Sequence, residues 1–415
     1  MNREVVITGM GAITPVGKSI EEYWNSLVSG VCGIKEIQGY DDFELPVRIA
    51  GQITDFDASV YGIAPAVLRK CDRYTQFAMA AAEEAVKSSG ILDNQGISPE
   101  RIGVYIGSGI GGLETFVNET QKLYNQGVNR VSPLFVPMMI SNIASGQIAI
   151  RYGLQGPTLP VVTACATSTN AVGEAYRAIK HGYADAIVAG GSEAAIHPLV
   201  IGGFNSCKAL SRTADPMKAS RPFDRTRDGF VLGEGSGILI LEEKQHAIER
   251  GAHIYAEVCG YGNTCDAYHY TAPRPDATTE ARAIKLALAE AGYKAGEKLY
   301  INAHGTSTPM NDKMETAAIK LALGEAEAKS AVISSTKSMT GHLLGAAGAI
   351  EMIAAAMTLK NGIAHPTLSL TESDPDCDLD YTPVTARKES FEIAISNSFG
   401  FGGHNACVAL RPFKG

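Results

Sequence analysis

Short apolar runs bounded by glycine or polar residues predict strands near 3–9, 102–107, 159–164, 185–190 and 236–241 in the first half of this chain. Between them, apolar residues recur at helical spacing near 20–29, 75–89, 136–151 and 168–181. The second half continues the alternation, with strands near 254–261, 298–303, 331–336, 391–396 and 405–410 and helices near 278–291, 312–323 and 344–361. Strands and helices taking turns from end to end predict an α/β fold. No linker or low-complexity stretch separates the halves, so they are expected to pack as one body.

The halves echo one another. REVVITGMG near the start resembles IYAEVCGYG after residue 253, and VVTACATSTN has a counterpart in AISNSFGFGGHN near the end. Each member of the second pair is a strand leading into a turn of small residues. The pattern reads as a duplicated α/β unit with halves at 1–252 and 253–415, whose two related turns face each other across one site.

Within LPVVTACATSTNAVGEAYRAIKHG, Leu159 to Val162 reads as a buried strand, and Ala171, Ala175, Ala178 and Ile179 mark the helix that follows. Cys165 therefore sits at a sharp strand-to-helix turn, where unpaired N–H groups and the helix dipole favour the nucleophilic thiolate. Ala164, Ala166 and Ser168 leave room for a substrate. The other seven cysteines (Cys32, Cys71, Cys207, Cys259, Cys265, Cys377 and Cys407) read as inert small hydrophobes.

Composition narrows the setting. The chain has 415 residues, 45% hydrophobic and 19% charged, an ordinary globular composition long enough for two cores. It has no apolar run of membrane-spanning length, and its N-terminus enters a strand without a signal-peptide layout. Eight cysteines without a CxxC argue against a disulfide framework and a zinc site, and favour a reducing cytoplasm, with an organelle as the alternative if a transit segment is removed. A net charge of −8 disfavours nucleic-acid binding. GSGIGG, with Gly107, Gly109 and Gly112, fits a dinucleotide fingerprint, but no acidic residue lies between Glu119 and Glu174 to hold a ribose. A tight cavity-lining turn is the better reading.

Partners for the cysteine lie in the second half. INAHGTSTP puts His304 at a strand end, and SSTKSMTGHLLGAAGA puts Lys337 and His342 in a small-residue loop before a helix. Strand ends are where open α/β sheets bind ligands. The histidines His181, His197, His246, His253, His269 and His365 sit in polar or helix-end contexts and read as structural or solvated. A cysteine protease needs one histidine and a residue to orient it. One cysteine with two histidines in separate glycine-rich turns suits carbon–carbon bond formation on thioesters. The cysteine takes the acyl group, and two imidazole N–H groups hold a carbonyl oxygen that becomes an enolate.

TACATSTNA, NAHGTSTP, KSMTGHLLGAAG and NSFGFGG, in this order, closely resemble the β-ketoacyl-acyl carrier protein synthases, most of all the type II elongating enzymes of fatty acid synthesis. The resemblance runs over essentially the whole chain. It implies the thiolase fold, two βαβαβαββ halves in a five-layered αβαβα arrangement, and a homodimer. It implies decarboxylative condensation with malonyl-acyl carrier protein in the cytoplasm, without a cofactor, a catalytic metal, nucleic acid or membrane insertion.

The resemblance also assigns roles. Cys165 is the acyl acceptor, and His304 and His342 bind the malonyl thioester carbonyl. Lys337 helps set the electrostatics and position of the second histidine. The N–H groups of Cys165 and Phe401 form the acylation oxyanion hole, and Phe401 is a gate made mobile by Gly400, Gly402 and Gly403. Thr306 and Thr308 hold the phosphopantetheine arm, Ile110 lies at the acyl tunnel, and Phe399 is a further substrate-binding position. Arg69, Lys70 and Lys208 match basic positions that dock the acidic carrier protein. Asp312 and Glu315 are assigned no chemistry, because DKME reads as a capping box with Asp312 at the cap.

His404 stands where many bacterial relatives carry threonine, and is a variant rather than a third catalytic histidine. Some relatives hold a structural monovalent cation at positions matching Asn302, Glu351, Ser396 and Asn397; nothing in this sequence alone would have suggested it. Two rivals remain: a polyketide-type ketosynthase with the same chemistry, and a non-catalytic chain-length-factor-like partner, which would lack the cysteine. A degradative thiolase would carry a second cysteine where this chain has Phe401.

Overall fold

The computed structural model describes residues 3–93 and 96–414. Nine strands, β1 (Val5–Ile13), β2 (Ile102–Gly107), β3 (Ala186–Glu193), β4 (Gly235–Glu243), β5 (Ala256–Cys265), β6 (Leu299–Asn302), β7 (Val332–Ser334), β8 (Ile393–Gly400) and β9 (His404–Arg411), hydrogen-bond in the order β2-β3-β4-β1-β5-β9-β8-β6-β7. The order is a mirror. Outward from the β1–β5 seam, the second half runs through its first, fifth, fourth, second and third strands (β5, β9, β8, β6, β7), and the first half runs β1, β4, β3, β2 in the same sense, with the single bridge of Thr158 to Val104 standing at its third-strand position. Pairing senses match too: β2 is parallel to β3 as β6 is to β8, and β4 is antiparallel to β1 as β9 is to β5. The duplication expected from the sequence is thus present in the topology.

The strands read as unbroken apolar runs because both their faces are buried. Alternate residues feed different cores. Ile187, Ala189, Leu239 and Leu241 point to a central core, and Ala186, Val188, Ile238 and Ile240 to an outer one. In the second half Ala394 and Val408 face the same central core, and Ile393, Ile395 and Cys407 face a third. Helices α1 (Thr167–Lys180) and α2 (Ala347–Asn361) fill the middle. Arg73–Ser89 and Ile143–Tyr152 cover one outside, and Thr278–Glu290 and Pro309–Leu323 the other. This is the five-layered αβαβα arrangement. The two central helices cross closely: a Cβ on Gly348 would lie 1.8 Å from Thr169 Oγ1.

Four expectations need correction. The segment 159–164 is not a strand. Thr158 bridges β2 at Val104, and Leu159 N–H donates to Val104 O at 3.1 Å, after which the chain leaves the ladder. It runs outside the sheet, so Leu159 and Val162 are 49% and 51% exposed rather than buried. The helix expected over 136–151 breaks into Phe135–Met139 and Ile143–Tyr152. There Gly112 N–H and Tyr74 O–H take the carbonyls of Met139 and Ile140, which a continuous helix would have used. Helices at Leu113–Gln126 and Pro198–Ser206 were not expected.

The fourth correction concerns the repeat. By topology the counterpart of the Cys165 turn is not the final hairpin but the turn after β7. Each follows a third strand position, forms a short 3-10 turn (Ala164–Ala166 and Leu344–Ala346) and starts a central helix. The final hairpin joins fourth and fifth strands. The small residues shared by the two sequences reflect close approach at one site, not equivalence.

Candidate active site

The turns meet in a pocket of about 460 Å³, lined by Cys165, His304, His342, Phe401, Thr306 and Ile110 among others. Cys165 is held by the start of α1. Thr163 N–H donates to Thr167 Oγ1 at 2.9 Å, Ala349 N–H of α2 donates to Ser168 Oγ at 2.9 Å, and Thr169 and Ser398 share a hydroxyl bond of 2.7 Å. Gly400 passes so near that a Cβ there would lie 2.8 Å from Thr163 O and 3.1 Å from Cys165 N. That approach aims the Phe401 N–H at the sulfur. Burial pushes the Cys165 thiol up to about 11, against the opposing pull of the Lys337 charge and the Phe401 N–H. Desolvation outweighs both, so the resting group is the thiol rather than the expected thiolate.

His304 follows β6. Its N–H and that of Gly305 both donate to the Glu315 carboxylate at 2.8 Å, and Asn397 Nδ2 reaches the same group at 3.3 Å. The capping-box reading of Asp312 and Glu315 is therefore overturned. Thr308 caps the helix Pro309–Leu323 by accepting from Asn311 N–H, while buried Asp312 accepts from Phe223 N–H at 2.8 Å. Glu315 is the residue that fixes the His304 loop. Its main-chain partners lie across the turn from β6 into the helix, and the only local signal was a carboxylate on a buried helix face. Thr306 and Thr308 line the pocket with hydroxyls 2.9 Å apart.

His342 N–H donates to Val231 O at 2.7 Å, and its ring stands edge-on to His304 at 5.4 Å. Leu344 N–H donates to His342 Nδ1 at 3.3 Å, so the ring proton sits on Nε2, which is buried and has no partner among the described residues. Desolvation first, then the Lys337 charge, holds both imidazoles well below the usual histidine range, so both are neutral near pH 7. Lys337 is fully buried. Its ammonium donates to His304 O at 2.6 Å, lies 3.4 Å from His304 Nδ1 and pairs with Glu351. It thus contacts and positions the first histidine directly, while its charge also acts on the second.

Cys165 Sγ and one nitrogen of each histidine lie within 4.8 Å of one another. Such a trio resembles a metal centre, but a His342 that carries its proton on Nε2 is a donor, not a ligand. The arrangement suits a developing oxyanion.

The other expected residues separate. Phe399 lines the pocket edge-on to His304 at 5.9 Å, and Phe401 lies beside Phe204 at 6.3 Å. Ile110 lines the pocket, and its N–H with those of Gly109 and Gly345 ends on buried Glu193. The GSGIGG amides are thereby occupied by a carboxylate and present no phosphate cradle. Lys208 is exposed at the pocket, whereas Arg69 and Lys70, exposed after the short helix Pro65–Leu68, do not line it. His404 starts β9 outside the lining. Cys207 and Cys265 are exposed, not buried as expected.

Asn302 Oδ1, Glu351 Oε2, Ser396 Oγ and Asn397 Oδ1 are all buried without partners among the described residues. Unpaired buried oxygens are costly, and a hard oxygen set with one carboxylate fits a monovalent cation. Strand alternation refines the set. Asn302 and Ser396, paired in register, face the central layer with Glu351, whereas Asn397 faces the other side toward Glu315.

A mirrored α/β body with a cysteine and two neutral histidines at its junction defines a thiolase-fold condensing enzyme. The family descriptions "Beta-ketoacyl synthase, N-terminal domain" and "Beta-ketoacyl synthase, C-terminal domain" match residues 2–247 and 255–371, and the chain belongs to the β-ketoacyl synthase family. It is 49% identical over 413 residues to the 3-oxoacyl-[acyl-carrier-protein] synthase 2 of Synechocystis, covering 99% of each chain. It is 48% identical to the enzyme of that name from Staphylococcus aureus, covering 100% of this chain and 99% of that one. Among solved structures, a β-ketoacyl synthase from Burkholderia phymatum matches with a TM-score of 0.92 and 35% identity, over 99% of this chain and all of the other. A type II polyketide ketosynthase in complex with its acyl-carrier protein matches over the whole of both chains with a TM-score of 0.91 and 35% identity.

Proposed function

We propose that Cys165, His304 and His342 divide a decarboxylative condensation that elongates fatty acids on acyl carrier protein. In the first half-reaction Cys165 Sγ attacks the acyl thioester. Its proton leaves by way of a neutral imidazole to the departing pantetheine sulfur, and the N–H groups of Cys165 and Phe401 hold the oxyanion. In the second, the malonyl thioester carbonyl oxygen lies against the histidine N–H donors. Carbon dioxide departs, and the carbanion attacks the acyl-cysteine carbonyl. The sulfur leaves as thiolate and takes a proton from solvent to restore the thiol. The observation that carries this reading is the buried, unpartnered Nε2–H of His342 beside the cysteine. Greater identity to the fatty acid enzymes than to the polyketide ketosynthase favours the fatty acid pathway. Elongation of a ladder of acyl-carrier substrates, with label mapped to Cys165, tests it. An adduct on another cysteine overturns it.

The carrier protein is expected to dock at Lys208, with Arg69 and Lys70 beyond the pocket rim. Leu159, Val162, Phe116, Leu123 and Tyr124 are exposed apolar side chains of the kind a second copy of this chain would cover. No helix among the described residues is long and apolar enough to cross a membrane. A monovalent cation held by Asn302, Ser396 and Glu351 would balance the Glu351 oxygen that Lys337 does not use.

A further inference from the structure

Beneath the Lys337–Glu351 pair lies a polar cluster that the condensation chemistry does not use. His365 is fully buried there. Its Nδ1 is 3.1 Å from Pro366 O. A carbonyl only accepts, so Nδ1 carries the ring proton and Nε2 is left as a lone pair. Three groups converge on that lone pair: Tyr300 O–H at 3.0 Å, Asn302 Nδ2 at 3.3 Å and Ser334 Oγ at 3.3 Å. The Tyr300 and Ser334 hydroxyls are also bonded to each other at 2.7 Å.

The direction of these bonds has a consequence for Asn302. An amide has a donor end and an acceptor end. Turned the other way, Asn302 would set its carbonyl oxygen against the His365 lone pair, a repulsive contact between two acceptors that are both fully buried. With Nδ2 toward His365, Oδ1 is released toward the side where Ser396 Oγ and Glu351 Oε2 also lack partners. Tyr300, Asn302, Ser334 and Ser396 all lie on the central-layer face by strand alternation, so the relay runs within one layer.

We propose that His365 is a positioning residue for a monovalent-cation site: its Nε2 lone pair fixes the Asn302 amide so that Oδ1 faces the cation held with Ser396 and Glu351. The path continues through Glu351 to Lys337 and the main chain of His304. His365 therefore sets how firmly the cation is held, and through it the rigidity of the lysine that holds the histidine loop. The inference rests on the cation reading given above.

The experiment is a potassium titration of thermal unfolding on the full chain, with choline chloride holding ionic strength constant and no substrate present. In the wild type the unfolding temperature rises saturably with potassium. His365→Leu removes the lone pair and moves the half-saturating concentration up by roughly tenfold, the size of effect that lost outer-shell partners have on bound metals. His365→Gln keeps an acceptor oxygen and restores affinity most of the way. Should His365→Leu not fold, rubidium occupancy at Asn302 Oδ1 in crystals of the wild type and His365→Gln provides the second measurement. A wild type indifferent to potassium overturns the cation reading itself. Unchanged affinity in His365→Leu, equal loss in the Leu and Gln variants, or rubidium seated away from Asn302 overturns the role of His365 alone. Condensation is assayed separately, so its outcome does not decide either.

Discussion

Ala164 and Leu344 hold the same place in the two halves, and both adopt a left-handed backbone, with φ of 51° and 48°. Each opens a 3-10 turn that feeds a central helix, at a cost of roughly 1–2 kcal/mol for a residue with a Cβ. The next residues differ. Gly345 is pressed so close that a Cβ would lie 2.6 Å from Gly109 N and 2.7 Å from Glu193 Oε2, whereas Cys165 faces the pocket. One turn of the pair carries a side chain; the other packs.

That asymmetry separates chemistry from stability. Cys165→Ala is expected to abolish acyl loading with little change in thermal unfolding. Gly345→Ala is expected to destabilise by about 1–3 kcal/mol, the usual cost of overpacking against backbone. Calorimetry and a loading assay on both variants check the contrast.

His304→Ala and His342→Ala are each expected to slow decarboxylation by about 10²–10³, the usual loss for one preorganised oxyanion donor. Acyl transfer to Cys165 should suffer less. Single-turnover measurement of each half-reaction distinguishes the two. If loading falls as steeply as condensation in both variants, the histidines are activating the cysteine instead.

The pH behaviour follows from two opposite shifts. His342 titrates well below the ordinary histidine value, so its neutral N–H persists as pH falls through about 6.5. The unfolded chain protonates there and the folded site does not. The stability this histidine contributes is therefore complete above the unfolded value and is lost as pH falls toward the folded one. The Cys165 thiol, raised to about 11, predicts loading from a small acyl thioester that quickens with alkalinity. With Cys165 replaced by Gln, malonyl decarboxylation should be flat between about pH 6 and 8. An inflection near 6.5 in that variant would contradict the buried, neutral assignment of His342.

Net charge −8 opposes an acidic partner, so docking depends on local cations. Reversing charge at Lys208 together with Arg69 is expected to raise the apparent KM for carrier-bound substrate and leave loading from a small thioester nearly unchanged. Added salt should slow the wild type more than the variant. Kinetics unaffected by the double reversal at low ionic strength place the docking surface elsewhere.

The chemistry was more legible in the sequence than its supports were. Cys165, His304 and His342 stood out because each sits in a run of small and hydroxylic residues, a local pattern. Glu315 did not, because DKME satisfies a capping box on paper, and the bonds to His304 and Gly305 exist only once the strand and helix are folded together. The direct contact of Lys337 with His304 was not legible for the same reason. Leu159 and Val162 look like a buried strand because apolar character does not say which surface covers it. The Cys165 turn was paired with the final hairpin because small residues mark crowding, and only strand order reveals which turns are equivalent.

The seam between the halves also governs how the chain is made. β1 leaves the ribosome well before its neighbours Gly235–Glu243 and Ala256–Cys265, with Val5 opposite both Glu243 and Val258. At roughly 5–20 residues per second, the first strand stays unpaired for on the order of 10–50 s while its partners are synthesised. Over that interval VVITGMGAI is an exposed apolar edge, and pairing across such a sequence distance is slow. The mirror symmetry that places one cysteine opposite two histidines thus leaves the nascent chain dependent on keeping its first nine-residue strand from aggregating.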